Sequence, residues 1–282
     1  MFVTRFAPSP TGYLHLGHAF AALTAQEAAQ GGRFLLRIED IDPSRTRERF
    51  VEAIFADLRW LGLGWEEPVW RQSARTSDYK SALEQLGAMG LIYPCFCTRA
   101  EIAAEIARSA EAPHGPDGPI YPGTCRQLSM KERISLENSG APYALRLHSA
   151  KAAERLRQLC FEESRWFPYT EYDRIAVDPL LFGDVVLARK DTPASYHLAV
   201  VVDDAAQGVT MVTRGRDLLP STHVQRVLQS VLDLPAPRYA HHRLILDAAG
   251  GKMSKREGAR SLRDCRRAGI TTAEIVAMLQ GA

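Results

Sequence analysis

The 282-residue chain is 46% hydrophobic and carries 35 Lys and Arg residues against 33 Asp and Glu residues, which gives a formal net charge of +2. This near balance excludes a protein that is basic throughout, so any nucleic-acid surface must be a local patch. No stretch approaches the roughly 20 uninterrupted apolar residues of a membrane span, and the N-terminus shows no signal-peptide pattern, so the expected location is the cytoplasm.

The N-terminal third alternates between strand and helix patterns. A short apolar strand at 2–6 ends in a turn with two prolines and a glycine, and helix-compatible sequence follows from about 15 to 30. A second strand at 34–38 leads into an amphipathic helix that ends near residue 61, and a further helix spans about 77–89. This alternation predicts the parallel sheet of a doubly wound α/β domain.

The pattern changes in the middle of the chain and then resumes. The stretch 112–123 holds four prolines and three glycines, which indicates a loop without regular structure. Strand patterns return at 143–147, 196–202 and 209–213, and a helix follows at about 222–232. We therefore expect an insertion within the α/β domain rather than an independent module.

The expected organisation has four segments. Residues 1–90 and 191–240 form the two halves of the α/β domain, and residues 91–190 form the insertion. Residues 241–282 hold a basic loop and two short terminal helices at about 261–279. Because ligands of open parallel sheets bind where the strands end, we expect the functional residues at that edge.

A histidine motif, His15-Leu16-Gly17-His18, begins the first helix directly after the first strand. The free N–H groups and the positive dipole end of a helix N-terminus favour phosphate there. Histidines three residues apart share a helix face and could donate hydrogen bonds to a polyphosphate, while Gly17 leaves room for a flat base. The alternative interpretation is a pair of surface histidines on the first turn of a helix.

A basic motif, Lys252-Met253-Ser254-Lys255-Arg256, follows two glycines near the end of the chain. Three cations in a mobile loop suit closure over the negative charge that develops when a carboxylate attacks the α-phosphate of ATP. The alternative interpretation is a solvated basic loop, which most such loops are.

Three of the five cysteines, Cys95, Cys97 and Cys125, fall within one short region. Three thiolates and one further ligand form the closed tetrahedral site typical of structural zinc, and such a site would hold a small insertion together. His114 is the conventional candidate for the fourth ligand. The alternative interpretation is three buried free thiols.

The two motifs together resemble the two signatures of class I aminoacyl-tRNA synthetases, in the same order and on the expected elements. The segments Arg5-Phe6-Ala7-Pro8-Ser9-Pro10-Thr11-Gly12 and Arg37-Ile38-Glu39-Asp40 are similar to the glutamyl branch of that class, and the resemblance covers nearly the whole chain. It implies a Rossmann-like catalytic core. It also implies catalytic roles for His15, His18, Lys252 and Lys255, and ATP binding by His15, Gly17, His18 and Lys255.

Glutamate carries two carboxylates and one ammonium group, so its site needs an arginine for a carboxylate and an acid for the amine. Arg5 and Glu39 stand where predicted strands end and fit these needs. The resemblance adds further residues to the same pocket: Ala7, Ser9, Tyr196 and Arg214.

Three of these pocket residues also have ordinary structural interpretations. Glu39 would cap the next helix, and Tyr196 would belong to the core. Arg214 would pair with Asp217. For Tyr196 and Arg214, only the resemblance places the functional interpretation ahead of the structural one.

The expected cofactors have separate grounds. The resemblance implies ATP as a substrate, Mg²⁺ is expected with the ATP on chemical grounds, and the three cysteines indicate one structural Zn²⁺ site. The resemblance implies Tyr121 as the fourth zinc ligand, in competition with His114.

The chain ends at Ala282, only 26 residues after Arg256. It is therefore similar to a shortened glutamyl branch that lacks an anticodon-binding domain and attaches glutamate to the queuosine base in the anticodon of tRNA(Asp). The expected partners are glutamate, ATP and queuosine-bearing tRNA(Asp), without a membrane or an obligatory protein partner. Basic residues of the insertion and of 260–267 are expected to hold tRNA phosphates, so that binding weakens with salt.

Three other functions remain open at this point. One is a truncated glutamyl-tRNA synthetase that charges the 3′ end of tRNA(Glu). Another is a nucleotidylyltransferase that uses ATP on a small molecule. The third is a zinc-bearing RNA-binding protein without catalysis.

Overall fold

The computed structural model describes residues 1–108, 114–164, 169–246 and 260–281. The basic motif with Lys252 and Lys255 lies outside these residues. In the first part of the chain, strands and helices alternate, and the hydrophobic pattern predicts all of them except β3: β1 (Val3–Phe6), α1 (Leu16–Ala28), β2 (Arg33–Ile38), α2 (Glu48–Trp60), β3 (Glu66–Arg71) and α3 (Thr76–Ala88).

The middle of the chain is built from shorter elements, several of which the sequence did not predict. The stretch 112–123, expected to be a loop, contains a minimal hairpin of two-residue strands. The described elements in the middle of the chain are β4 (Ile92–Cys95), α4 (Arg99–Arg108), β5 (His114–Gly115), β6 (Gly118–Pro119), α5 (Met130–Asn138), β7 (Ala144–Leu147), α6 (Ser149–Arg155), β8 (Cys160–Ser164), β9 (Tyr172–Ala176) and β10 (Val186–Ala188).

The last part of the chain corrects one prediction. Residues 196–202, predicted as a strand, begin a helix that is buried along most of its length. A short apolar run fits a buried helix as well as a buried strand, and its periodicity cannot separate the two. The elements are α7 (Tyr196–Ala206), β11 (Met211–Gly215), α8 (Ser221–Val231), β12 (Arg238–His242), α9 (Leu262–Arg267) and α10 (Thr272–Gly281).

Two sheets of mainly parallel strands form the α/β core. The first has the order β1-β2-β3, and the second has the order β11-β12-β8-β9, in which only β9 is antiparallel to its neighbour. They meet where Thr210 N donates a hydrogen bond to the Val3 carbonyl at 2.9 Å. The doubly wound α/β fold predicted from the sequence is confirmed.

The insertion contributes its own antiparallel sheet, with the order β10-β7-β4. Strand β8 also falls within 91–190, the segment expected to be the insertion, yet it pairs in parallel with β12 of the core. Its sequence, Cys-Phe-Glu-Glu-Ser, has too few apolar residues to be recognised as a core strand.

The terminal helices pack into the same hydrophobic core as strands β1 and β2 and helices α1 and α2. Leu262 of α9 and Ile275 of α10 are fully buried and belong to the same hydrophobic cluster as Ile54 of α2. The prediction of two helices over 261–279 is therefore confirmed. Within the described ranges, no helix has the length and apolar character that crossing a bilayer requires.

Candidate active site

The histidine motif caps the first helix. His15 immediately precedes α1, and its Nδ1 accepts a hydrogen bond from Gly17 N at 3.1 Å. His18 Nδ1 accepts a hydrogen bond from His15 N at 3.2 Å, so the two side chains form a reciprocal cap. Because each Nδ1 is an acceptor, each neutral ring carries its proton on Nε2, which is therefore a donor.

Gly17 lies close to this cap. A Cβ at this position would lie 3.0 Å from the His15 ring, a tight contact that would require the ring to shift. The sequence suggested that Gly17 makes room for a base, whereas its close neighbour in the structure is His15. Two Nε2–H donors next to the N–H groups of a helix N-terminus form an arrangement that suits a phosphate.

A cavity of about 390 Å³ opens beside this cap, where β1, β2 and β11 end. Its size lies within the range of small-molecule sites. His18 forms part of its wall, so the phosphate-binding arrangement and the cavity adjoin. All the residues predicted to bind the amino acid line it: Arg5, Ala7, Ser9, Glu39, Tyr196 and Arg214.

Arg5 is held in the cavity wall by an acid. Its Nε donates to both carboxylate oxygens of Asp204, at 3.0 and 3.2 Å, and its Nη1 donates to the Thr213 carbonyl at 3.3 Å. No described residue accepts a hydrogen bond from its Nη2. The guanidinium group therefore retains a donor for a ligand.

A second buried arginine binds the same acid. Arg37 is fully buried, and its Nη1 donates to Asp204 Oδ1 at 2.7 Å while its Nη2 donates to Glu39 Oε1 at 3.4 Å. Burial would raise the pKa of Asp204, but Arg5 and Arg37 hold it below its ordinary value. Burial raises the pKa of Glu39, and the two arginines offset only part of that effect. We call Arg5, Arg37, Glu39 and Asp204 the Arg5 cluster.

Arg214, the other arginine of the cavity, is bound by neutral groups. Its Nη1 donates to Gln225 Oε1 at 2.8 Å and to Tyr196 Oη at 3.2 Å, and its Nη2 donates to Thr222 Oγ1 at 2.7 Å. Its exposure is only 6%, and among the described residues it has no carboxylate partner, so the pairing with Asp217 is not formed. A buried cation without a counter-charge favours an anionic ligand.

The remaining partner of Arg214 is a histidine in a defined tautomer. Arg214 Nε donates to His241 Nε2 at 3.0 Å, and His241 Nδ1 lies 2.8 Å from Glu163 Oε2. Nε2 is therefore the unprotonated nitrogen, and Nδ1–H donates to Glu163. Burial, assisted by Arg214, lowers the pKa of His241 although Glu163 acts in the opposite direction, in agreement with a neutral ring. We call Arg214, Tyr196, Thr222, Gln225 and His241 the Arg214 cluster.

The sequence analysis did not identify most of the residues that hold the two arginines. A weak signal was present, because an ionised residue inside an apolar run, such as Arg37 in β2 or Asp204 in α7, requires a buried partner. The residues that it missed are Asp204, Thr222, Gln225, His241 and Glu163.

The chain after the basic motif returns to the histidine cap. Ser261 forms an isolated β-bridge with His15, and Leu262 N donates to the Leu14 carbonyl at 2.8 Å. These contacts fix the start of α9 beside the phosphate-binding arrangement. Lys252 and Lys255, predicted to act there, lie outside the described residues.

The three predicted cysteine ligands come together in the insertion. The Sγ atoms of Cys95, Cys97 and Cys125 all lie within 4.8 Å of one another, a spacing compatible with one tetrahedral zinc ion. Tyr121 Oη lies 3.4 Å from Cys95 Sγ and 3.5 Å from Cys97 Sγ. His114 is exposed in β5 and is not part of this group among the described residues. The arrangement therefore favours Tyr121 over His114 as the neighbouring fourth donor.

A larger cavity of about 510 Å³ lies between α7 and the insertion. Tyr196 lines this second cavity as well as the first, so the two adjoin at its ring. From the insertion, Tyr121 and Arg146 contribute to the wall. A second reactant therefore has room beside a ligand in the first cavity.

Known proteins resemble this chain over nearly its whole length. Residues 1–280 match the family described as tRNA synthetases class I (E and Q), catalytic domain. A glutamyl-Q tRNA(Asp) synthetase of Rhodobacter capsulatus is 48% identical over 97% of this chain and 98% of that protein. The glutamate–tRNA ligase of Aquifex aeolicus is 40% identical over 94% of this chain and 54% of that protein.

Solved structures give the same result. The crystal structure of a glutamate tRNA ligase from Elizabethkingia meningosepticum, in complex with its amino acid, superposes with a TM-score of 0.70 and 31% identity. The match covers 90% of this chain and 52% of the other. The chain thus spans about half the length of the glutamate ligases that it matches.

Proposed function

The chain belongs to the class I tRNA synthetase family of the glutamate and glutamine enzymes, and from this membership we propose that it activates glutamate with ATP and transfers it to the queuosine base in the anticodon of tRNA(Asp). The observation that carries the proposal is the single cavity lined by Arg5, Glu39 and Arg214. Two guanidinium groups and one carboxylate complement the two carboxylates and one ammonium group of glutamate.

The two clusters divide the binding of glutamate. Glu39 accepts the ammonium group, whose charge lowers the pKa that burial has raised. Arg214 binds one carboxylate, because it is buried and its contacts among the described residues are all neutral. Arg5 binds the other through its remaining donor. Ala7 and Ser9 complete the wall of the cavity beside Arg5.

ATP binds next to this cavity, at the histidine cap. The Nε2–H groups of His15 and His18 donate to phosphate oxygens, and the N-terminus of α1 adds its N–H groups and dipole. Lys252 and Lys255 supply cations that stabilise the departing pyrophosphate. Mg²⁺ accompanies the ATP and neutralises part of its charge.

Transfer takes place between the two adjoining cavities. A hydroxyl oxygen of the queuosine diol attacks the activated carbonyl carbon to form an ester bond, and the bond from that carbon to the phosphate oxygen breaks. The hydroxyl proton passes to the departing phosphate, which leaves as AMP. The second cavity, at Tyr196, holds the base during this step. The protein contributes positioning and charge stabilisation, and it needs no covalent nucleophile.

The zinc proposal concerns the folding of the insertion. Cys95, Cys97 and Cys125 supply thiolates and Tyr121 supplies a phenol oxygen. Zinc would order the loops that carry these residues. We expect one zinc per chain by elemental analysis, with Tyr121→Phe lowering metal affinity and His114→Ala leaving it unchanged. The reverse result would make His114 the fourth ligand.

The identity to the relatives supports the modified base over the tRNA 3′ end. The chain is 48% identical to the Rhodobacter capsulatus glutamyl-Q tRNA(Asp) synthetase and 40% identical to the Aquifex aeolicus glutamate–tRNA ligase. The competing function is charging of the 3′ end of tRNA(Glu), which the 40% identity to that ligase favours.

The decisive experiment is transfer of labelled glutamate to tRNA(Asp) and tRNA(Glu), with tRNA(Asp) prepared both with and without queuosine. The 3′ end is blocked by removal of the terminal adenosine, because periodate would also cleave the queuosine diol. Among the shortened tRNAs, we expect label only on the queuosine-bearing tRNA(Asp). Label confined to intact tRNA(Glu) would replace the proposal with 3′-end charging.

A further inference from the structure

A groove of about 380 Å³ lies on the surface of the insertion, outside the two cavities described above. It is formed by the end of α5, the turn into β7 and the end of β10. Its wall combines an exposed aromatic ring, small residues and charged side chains: Glu137, Gly140, Ala141, Pro142, Tyr143, Leu145, Ala188, Arg189 and Lys190.

Tyr143 gives this groove an exposed but supported ring. Its side chain is 42% exposed, which is high for a large aromatic residue. The ring of Tyr143 packs edge to face against the ring of Phe96, with 5.5 Å between the ring centres. Phe96 lies between Cys95 and Cys97 in the sequence, and its ring supports the ring of Tyr143. A ring held in this way can accept a flat partner on its free surface.

The groove also carries positive charge. Arg189 and Lys190 are both exposed, and neither forms an ion pair with any residue in the described ranges. Two hydrogen bonds between Arg189 and Thr192, of 2.9 and 3.3 Å, hold the turn that presents them. Glu137 is the one acid in the groove wall, so the wall has a net charge of +1 from two cations and one anion. This combination suits a flat group attached to a phosphate.

The groove connects with the reaction site. Ala188 and Arg189 line both the groove and the second cavity, and Tyr196 lines both the second cavity and the first. The three spaces therefore follow one another along the protein surface. A chain of nucleotides that delivers one base to the second cavity would pass over the groove.

We propose that the groove binds an unpaired nucleotide adjacent to the one that receives glutamate. Its base stacks on Tyr143, and its phosphates contact Arg189 and Lys190. This inference rests on the proposed function, since it requires a single-stranded RNA substrate, and unpaired loops expose their bases for such stacking.

The experiment measures KM for queuosine-bearing tRNA(Asp) in variants of the groove. Stacking on an aromatic side chain is worth about 1–3 kcal/mol per base, so Tyr143→Ala should raise this KM by about tenfold. Tyr143→Phe keeps the ring and should stay within about twofold of the wild type. Lys190→Ala should lower the slope of log KM against log salt by about 0.7, whereas Lys80→Ala, on the exposed surface of α3, should not.

Separate readouts distinguish the possible failures. The shift of the thermal midpoint with glutamate and ATP should be the same in all four variants, because the groove does not line the first cavity. If the wild type transfers no glutamate to any tRNA, the proposed function fails. If the wild type is active and Tyr143→Ala has the same KM for queuosine-bearing tRNA(Asp) as the wild type, the inference is overturned. A concentration-dependent dimer that Tyr143→Ala abolishes, with an unchanged KM, would assign the groove to a second copy of the chain instead.

Discussion

The Arg5 cluster and the Arg214 cluster hold arginines in the same cavity by opposite means. Arg5 is bound to a carboxylate, and so is the fully buried Arg37 next to it. Arg214 is nearly as buried as Arg5, yet its described contacts are a phenol, a hydroxyl, an amide and a neutral imidazole.

This difference distinguishes charges that are paired within the fold from a charge that is available to bind an anionic ligand. The Arg5 cluster contains two cations and two anions, so it is balanced in the free protein and can form as the chain folds. The Arg214 cluster has one cation and no anion, and an uncompensated buried charge is costly. A bound carboxylate would remove that cost. Stability should therefore depend mainly on the first cluster, and selection of an anionic substrate on the second.

The largest effect is expected for Asp204→Asn. The substitution keeps the shape of the side chain but leaves Arg5 and Arg37 sharing a neutral amide. Loss of one partner of a buried ion pair costs about 3–5 kcal/mol, and we expect this decrease in the free energy of unfolding. Urea denaturation followed by circular dichroism measures it.

The matched control for that prediction is Asp191→Asn, which removes an exposed acid that forms no ion pair within the described ranges. It should change the free energy of unfolding by less than about 1 kcal/mol. Equal decreases in the free energy of unfolding of the two variants would show that Asp204 contributes no more to stability than the control residue does.

The second effect is expected for Arg214→Gln. It removes the uncompensated cation and should weaken glutamate binding by about 2–3 kcal/mol, or roughly 30- to 150-fold in KM for glutamate. The free energy of unfolding should fall by less than in Asp204→Asn. Arg214→Gln removes the buried charge itself, so its lost hydrogen bonds are partly offset, whereas Asp204→Asn leaves buried charges without their partner. Steady-state pyrophosphate release measures KM. Arg214→Lys, which keeps the charge, should be intermediate.

Much of the fold could be predicted because its strands are apolar and its helices amphipathic. The alternation over the first 90 residues predicted the parallel sheet, and the positions of Arg5 and Glu39 at predicted strand ends indicated two residues that line the first cavity. Strands β3 and β8 were missed because their sequences are largely polar, and α7 was taken for a strand because residues 198–202 form a continuous apolar run.

The residues that support the site could not be found from sequence. Asp204 lies 167 positions after Arg37, and a single sequence has no signal for a contact across that distance. The cap made by His15 and His18 was equally hidden, because histidine is not among the usual capping residues. Local patterns and the family resemblance thus identified residues that line the first cavity, whereas tertiary contacts determine how these residues are held.

The pH dependence extends the comparison to the histidines around Arg214. Burial, assisted by Arg214, lowers the pKa of His197 to about 4. Since its unfolded value is about 6.5, the folded state resists protonation, and its contribution is present above pH 6.5 and is lost as the pH falls toward 4. We expect the free energy of unfolding to decrease by about 2 kcal/mol between pH 7 and pH 5 through this group.

The difference between variants isolates this contribution from other groups. Asp57, whose pKa burial raises to about 6, changes stability in the opposite direction over part of the same range. It is present in both the wild type and His197→Asn, so its effect cancels between them. The wild type should lose stability more steeply than His197→Asn, and parallel curves would contradict the assignment.

The smallest effect is expected for Glu163→Gln, which reaches Arg214 only through His241. Glu163 accepts hydrogen bonds from both Nδ1 and the backbone N of His241, each at 2.8 Å. Glutamine has one acceptor oxygen, so it cannot replace both bonds, and it weakens the preference for the tautomer whose Nε2 accepts from Arg214. We expect a cost of about 1 kcal/mol, or about a fivefold rise in KM for glutamate with KM for ATP unchanged. Because the contact is indirect, this rise should disappear in an Arg214→Gln background. An undiminished effect in the double variant would show that Glu163 acts on the cavity by a route that does not include Arg214.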